Sequence, residues 1–327
     1  MQVIIPLAGK GTRLRPHTHL VPKPLLKVAG RPVMDWVMDR LDGLDVSELI
    51  FITGHLKEQV EAYARSRYRW PSRYVEQRVQ DGTAGAVNLA RPHVTEPVLI
   101  IFVDTVFEAD LGLIKRSDAD GVIWAKEVED YQRFGVVVTD ADGYMTRIVE
   151  KPSEPISRLA NIGLYYIRDT DALWAGIDHV VTRAANKGEY YLTDAFQHMI
   201  DQGRRILAAQ VGGWYDCGTR EAIIETNETL LRLGAARHPD LPGVTIHEPV
   251  YIEDGVRIER STIGPNVSIE QGSTILDSRI AHSIIGQDAR IEGAHLVQTL
   301  LGNHVTLRDV SGSMSLADHA ECIGVPD

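Results

Sequence analysis

The sequence predicts two successive architectures: an α/β domain over residues 1–235 and a β-helix over residues 245–312, closed by a cap or tail at 313–327. Three observations carry this. Short apolar runs alternate with longer amphipathic stretches up to about residue 235. A six-residue period in large aliphatic residues then begins near Ile246. The apolar fraction of 44% is enough for full-sized cores in a chain of 327 residues.

The elements follow in order. Val3-Ile4-Ile5 is a buried strand. Residues 33–44 place Val33, Trp36, Val37, Met38 and Leu41 near helical spacing. Residues 49–52 form a second strand, 55–68 a helix, 73–76 a third strand, 84–90 a helix and 98–103 a fourth strand. Strands alternating with helices specify a parallel or mixed sheet covered on both faces. Ligands of such sheets sit beyond the carboxyl ends of the strands. Beyond about residue 130, residues 135–138, 145–149 and 163–167 are strands joined by short turns, extending the sheet into a substrate lobe. Residues 194–202 and 220–233 are helices.

The repeat is explicit. Ile246, Ile252 and Ile258 are six apart. After a one-residue slip the same spacing joins Ile263, Ile269 and Ile275, and after further slips Ile285, Ile291 and Val297, then Leu301 and Leu307. Six is not a helical period. One aliphatic per six residues places one inward side chain on each short strand of a triangular coil, and the stretch predicts three to four coils.

Charge and composition bound the function. With 34 Lys+Arg against 45 Asp+Glu the net charge is 34 − 45 = −11. This argues against nucleic acid or an anionic membrane as partner, while leaving room for a local basic pocket. No apolar run approaches the roughly 18 residues of a membrane span, and the N-terminus lacks the basic region of a signal peptide. Cys217 and Cys322 are too few for a disulfide framework or a cysteine metal site. A cytoplasmic location is expected.

The first chemical motif is Leu7-Ala-Gly-Lys-Gly-Thr-Arg-Leu14, directly after the first strand. Glycines there let backbone N–H groups approach a phosphate. Leu14 stands where a dinucleotide-binding loop needs its third glycine, and the Gly-Lys-Ser/Thr of a P-loop is absent. Arg13, Arg15, Lys23 and Lys27 crowd within 15 residues, and Pro16, Pro22 and Pro24 stiffen the loop. A rigid glycine loop flanked by cations suits a triphosphate.

Leu7 to Leu14 followed by Pro22-Lys23-Pro24 resembles the signature of the sugar-1-phosphate nucleotidyltransferases. Further segments resemble that family in order: residues 77–86, Phe102-Val-Asp104, Phe134-Gly135, Val149-Glu150-Lys151-Pro152, Ala160-Asn161 and Trp214-Tyr-Asp216-Cys-Gly218-Thr219. The resemblance covers residues 1–235. It implies a Rossmann-like mixed-sheet catalytic domain, and the hexapeptide tail resembles the left-handed β-helix that many members carry. It implies attack of a sugar-1-phosphate oxygen on the α-phosphorus of a nucleoside triphosphate, with release of pyrophosphate. Two anions must meet, so positioning and charge neutralisation dominate such a reaction.

Roles carry over residue by residue. Leu7, Ala8, Gly9, Gly11 and Thr12 would line the nucleotide, with Arg13 and Lys23 on its phosphates. Gln77, Gly82 and Thr83 would read the base, since a side-chain amide offers both donor and acceptor. Lys151 would hold the sugar phosphate, and Gly135, Glu150 and Asn161 the sugar. Asp104 and Asp216, 112 positions apart, would hold Mg²⁺, a hard cation that takes carboxylate and phosphate oxygens. Val103 stands where many members have glycine. The resemblance favours dTTP or UTP and glucose-1-phosphate as substrates. It also fits a homo-oligomer assembled through the β-helix. Two other functions are compatible with the sequence: a bifunctional enzyme whose β-helix is an acyltransferase using His282, His295 or His304, or a non-catalytic binder of nucleotide sugars, which would be expected to lack a phosphate cation or metal carboxylate.

Overall fold

A computed structural model describes residues 1–324 apart from 184, 186 and 187. The chain gathers into two compact units. Residues 1–10 and 37–214 form one; residues 11–36 and the chain from Tyr215 onward form the other.

The first unit is built on a nine-stranded sheet. Val98–Ile101, Gln2–Pro6, Glu48–Thr53 and Ser72–Glu76 run side by side and parallel. Their apolar, β-branched runs are buried on both faces: Val3, Ile4, Ile5, Leu49, Ile50, Phe51 and Ile52 are all at 0% exposure. Leu159–Ile167 adds antiparallel beside Val98–Ile101, with Leu164 opposite Ile101. Its first residues therefore project past the carboxyl edge of the parallel strands. There they pair with Gly135–Thr139, which in turn pairs with Met145–Glu150. Gly121–Glu127 and Ile206–Gln210 complete the sheet. The helices Thr170–Val181 and Leu192–Asp201 cover it through Leu173, Ile177, Ala195, Phe196 and Met199.

Several elements differ from expectation. The helix expected over 33–44 is α-helical only over Val33–Met38 and tightens to a 3-10 turn at Asp39–Leu41; Gly43, at φ +84, lies just beyond. The strand expected over 98–103 ends at Ile101. Gly121–Glu127, Thr170–Val181 and Ile206–Gln210 were not anticipated.

In the second unit the hexapeptide repeat folds as a left-handed parallel β-helix with three five-stranded sheets. That makes five coils where the aliphatic spacing predicted three to four. The fifth coil uses Ser315–Leu316 and Glu321–Ile323, which pair with Leu300–Leu301 and Thr306–Arg308. Inward residues at this level include Met314, Leu316 and Cys322, so the isoleucine signal fades while the geometry continues. Corners adopt left-handed backbone at Arg260, Asp277, Asn266, His282, Asp288 and His304. Inside the shaft Ser273, Ser278, Ser283 and Thr299 are buried and bond the next coil, as where Ser273 Oγ accepts from Ala289 N at 3.1 Å.

Candidate active site

The topology collects the candidate residues of the first unit along one edge. Leu7 to Gly9 follow Gln2–Pro6, Gln77 follows Ser72–Glu76, and Asp104 follows Val98–Ile101 by three residues. These strands are parallel, so all the candidates lie at carboxyl ends.

Leu7 N donates to Ile52 O at 2.7 Å. Ala8 packs against Gly54, where an added Cβ would lie 2.8 Å from Ala8 O. Gly9 has nothing within 4 Å of its Cβ position, so its backbone is open to a ligand. Gln77 is 7% exposed, and its Nε2 donates to Asp81 Oδ1 at 3.0 Å. Gly82 sits at φ +107, and a Cβ there would lie 2.5 Å from Tyr190 O; only glycine fits. Thr83 Oγ1 accepts from Leu192 N at 2.9 Å, which ties this segment to the start of the helix Leu192–Asp201.

Gly135, Glu150 and Asn161 form one cluster. Strand register sets Glu150 opposite Gly135. Asn161 Nδ2 donates to Gly135 O at 2.8 Å, and Tyr165 OH donates to Asn161 Oδ1. Thr193 Oγ1 donates to Glu150 Oε2 at 3.2 Å. Burial raises the pKa of the Glu150 carboxyl, with Lys151 and Thr193 opposing. Tyr165 is pushed well above its ordinary range by burial and by the charges of Glu150 and Asp104. Lys151, half exposed, has left-handed backbone at φ +44; its Nζ lies 3.6 Å from Glu150 Oε1 and 5.1 Å from the centre of the Tyr191 ring. A non-glycine residue in that conformation marks a position held by its surroundings. Val103 is buried at 3% exposure and walls the turn before Asp104.

The remaining candidates belong to the second unit. Gly11, at φ +59, accepts from Thr18 Oγ1 at 2.8 Å, and a Cβ on it would lie 3.3 Å from Lys23 Cβ. Thr12 and Arg13 stand on a 3-10 turn, and Lys23 opens another. Asp216 Oδ1 accepts from Gly218 N at 2.8 Å, and a Cβ on Gly218 would fall 2.9 Å from Arg13 Nη2. Arg13 and Asp216 are thus brought together across 203 positions (216 − 13 = 203). Among the described residues no cluster of three or more His, Cys, Asp or Glu could hold a metal. Asp104 and Asp216 each offer one carboxylate, the kind of oxygen donor that Mg²⁺ takes along with phosphate and water.

The nucleotidyl transferase family model matches residues 2–232. The chain belongs to this family. Among other nucleotidyl transferases, it is 35% identical over 238 residues to the UTP–glucose-1-phosphate uridylyltransferase AglF of Haloferax volcanii, covering 70% of this chain and 96% of that one. It is 26% identical to a glucose-1-phosphate thymidylyltransferase of Streptomyces griseus over 98% of each chain. The bifunctional protein GlmU of Methanocaldococcus jannaschii is 34% identical over 80% of this chain, which spans only 61% of that protein's length. A solved UDP-glucose pyrophosphorylase in complex with UDP-glucose shares the fold, with a TM-score of 0.64 at 22% identity over 71% of this chain and 98% of that one.

Sequence reasoning missed Thr193 and Tyr191, which this nucleotidyl transferase sets against Glu150 and Lys151. Neither stands in a recognisable motif; both lie at the start of an amphipathic helix, and only its packing reveals them. Of the histidines His282, His295 and His304, His282 bonds Glu228 at 2.7 Å and the His304 ring stacks on His319 with centroids 4.8 Å apart. Both rings have structural partners. No described helix is long and apolar enough to cross a membrane.

Proposed function

We propose that this nucleotidyl transferase makes a nucleoside-diphosphate sugar from dTTP or UTP and glucose-1-phosphate in the presence of Mg²⁺, releasing pyrophosphate. The observation that carries the sugar half is the cluster of Gly135, Glu150, Asn161 and Thr193, four positions spread over 58 residues (193 − 135 = 58) and joined by hydrogen bonds. The names of the relatives support glucose-1-phosphate and the choice between the two pyrimidine triphosphates.

In this reading Glu150 and Asn161 accept and donate hydrogen bonds at the sugar hydroxyls, and Gly135 keeps that wall clear of side chain. Lys151 holds the sugar phosphate. Gly11 and Thr12 donate to the triphosphate, and Arg13 and Lys23 neutralise its oxygens. Gln77 and Gly82 read the base, with Leu7 to Gly9 and Thr83 shaping the pocket. An oxygen of the sugar phosphate uses its lone pair to bond the α-phosphorus, and the bond to the bridging oxygen of the β-phosphate breaks. Pyrophosphate departs with that electron pair. The side chains supply position and charge rather than a covalent intermediate. Asp104 and Asp216 would hold Mg²⁺, which neutralises phosphate charge when bound.

The test is pyrophosphate release from Mg²⁺, glucose-1-phosphate and each nucleoside triphosphate in turn. Release with UTP or dTTP alone is expected; release only with a purine triphosphate, or only with another sugar phosphate, would overturn the assignment. We also place the enzyme in the cytoplasm as a homo-oligomer assembled through the β-helix. Light scattering that shows a monomer at micromolar concentration would refute the assembly.

A further inference from the structure

The stretch from Gly11 to Leu26 carries Thr12, Arg13 and Lys23, yet it has little structure of its own. It consists of three separate 3-10 turns, Thr12–Leu14, His17–His19 and Lys23–Leu25, each three residues long. Such turns cannot hold a geometry unaided. The short hairpin Lys27–Val28 with Arg31–Pro32 follows. What fixes this loop lies about 200 to 300 residues away in the same compact unit.

One contact within it and others in the hairpin that follows hold it in place. His17 Nε2 bonds Ser315 Oγ at 3.0 Å, in the fifth coil of the β-helix. Lys27 Nζ pairs with Glu270 Oε2 at 2.5 Å, in the second coil. Ala29 N donates to Asn227 Oδ1 at 2.8 Å, and the same oxygen accepts from Ser268 Oγ at 2.6 Å. Gly30, at φ +77, lies under the Tyr251 ring, where a Cβ would come within 2.1 Å of ring atoms. These are interior contacts: His17 is 4% exposed and Glu270 6%. A cavity of about 110 Å³ beside these contacts is lined by His17 and Lys27 together with Glu270, Asn303 and Asp318.

We propose that Glu270 and Ser315 of the β-helix are positioning residues for nucleotide binding: through Lys27 and His17 they clamp the loop on both sides of Lys23, so that Thr12, Arg13 and Lys23 meet the triphosphate already ordered. This rests on the proposed role of those three residues. Its physical basis is preorganisation. A loop ordered before binding does not lose that conformational freedom when the ligand arrives. The β-helix is then a working part of the nucleotide site, besides any part it has in assembly. The sugar residues Gly135, Glu150, Lys151 and Asn161 belong to the other compact unit, so the clamp acts on one substrate only.

The test uses the full chain with Glu270→Gln, Ser315→Ala, their combination, and Ser315→Thr, which keeps the hydroxyl. KM for the magnesium complexes of UTP and dTTP is measured beside KM for glucose-1-phosphate. The combined variant is expected to raise the triphosphate KM roughly tenfold, equivalent to about 1.4 kcal/mol. The sugar-phosphate KM should stay within about twofold, and Ser315→Thr should stay near wild type. Equal rises in both KM values would show general damage and overturn the proposal, as would no change in either. Hydrogen exchange of residues 11–30 supplies a readout without turnover. Faster exchange there in Glu270→Gln, with the main sheet unchanged, is expected; unchanged exchange would overturn the clamp even if activity were lost. A wild-type chain that transfers no nucleotidyl group from any triphosphate would instead refute the function assigned to Thr12, Arg13 and Lys23.

Discussion

Replacing Gly135 by alanine adds one methyl group at the centre of the proposed sugar site. The backbone there is ordinary strand, so the effect is one of space. The new Cβ would lie 2.3 Å from Asn161 Nδ2, 2.8 Å from Thr193 Cγ2 and 2.9 Å from Glu150 Oε2. Asn161 must swing away, which breaks its 2.8 Å bond to Gly135 O and disturbs the Tyr165 hydroxyl bonded to its Oδ1. Overpacking costs about 1–3 kcal/mol, and each buried hydrogen bond lost about 1 kcal/mol. A total of about 2–4 kcal/mol corresponds to a melting temperature lower by roughly 5–15 °C. Function should fall more selectively. Misplacing Asn161 and Glu150 removes one or two contacts to the sugar, so KM for glucose-1-phosphate should rise about 10- to 100-fold. The triphosphate KM should hold. The assay is steady-state kinetics in each substrate beside a melting curve on the same preparation. A folded Gly135→Ala enzyme whose sugar-phosphate KM changes by less than about twofold would refute the placement of the sugar at this cluster.

Three further perturbations have definite outcomes. Asp104→Asn removes a carboxylate assigned to Mg²⁺, and kcat should fall by at least about a hundredfold; activity within about twofold of wild type would remove Asp104 from the metal site. Gly82→Ala combines a disfavoured φ of +107 with a Cβ 2.5 Å from Tyr190 O; melting should drop by several degrees, and an unchanged melting curve would contradict this turn. Burial pushes the His17 imidazole down to about 4, against the attraction of Asp318 and with the help of Arg220. The unfolded chain therefore binds a proton between about pH 6.5 and 4 that the folded chain refuses. The stability that neutral His17 contributes is complete above about pH 6.5 and falls by on the order of 3 kcal/mol as the pH drops through that window. Denaturant titrations of wild type and His17→Gln should diverge there, because the glutamine has no such proton; parallel curves would refute the buried neutral ring.

How far the sequence reveals this molecule depends on how local each constraint is. Val98 to Ile101 form a strand because four consecutive apolar residues can be buried on both faces, and that is legible. The isoleucines of the hexapeptide repeat are legible for the same reason. The fifth coil is not: once Met314, Leu316 and Cys322 replace the regular aliphatics, the period disappears while hydrogen bonding to the preceding coil continues. The α-helix at Val33 is shorter than its pattern implies, because apolar spacing persists to Leu41 although the backbone tightens at Asp39. In the candidate site, the glycines and charged residues stand in motifs that the resemblance singles out. Thr193, which orients Glu150, was not, because a threonine early in an amphipathic helix carries no local sign of the carboxylate it meets.

The same distinction explains why the β-helix reads from sequence as a separate assembly module. Its repeat is self-sufficient: every strand pairs with the strand one coil away, and the shaft is filled by its own aliphatics and hydroxyls. Nothing in that pattern calls for a partner. The departures are polar or charged residues at places where the repeat alone would not require them. Glu270, almost wholly buried, follows Glu253 one coil earlier and is replaced by Gly286 one coil later, and its ion-pair partner Lys27 lies 243 positions earlier. Burying a carboxylate raises its pKa, and such a charge is retained only with a partner or at a cost in stability. In a repeat that could have placed glycine or serine there, as it does elsewhere, a buried acid paired outside the repeat points to an external load. That load is the loop carrying Arg13 and Lys23, and the charge pair specifies where on the shaft it docks.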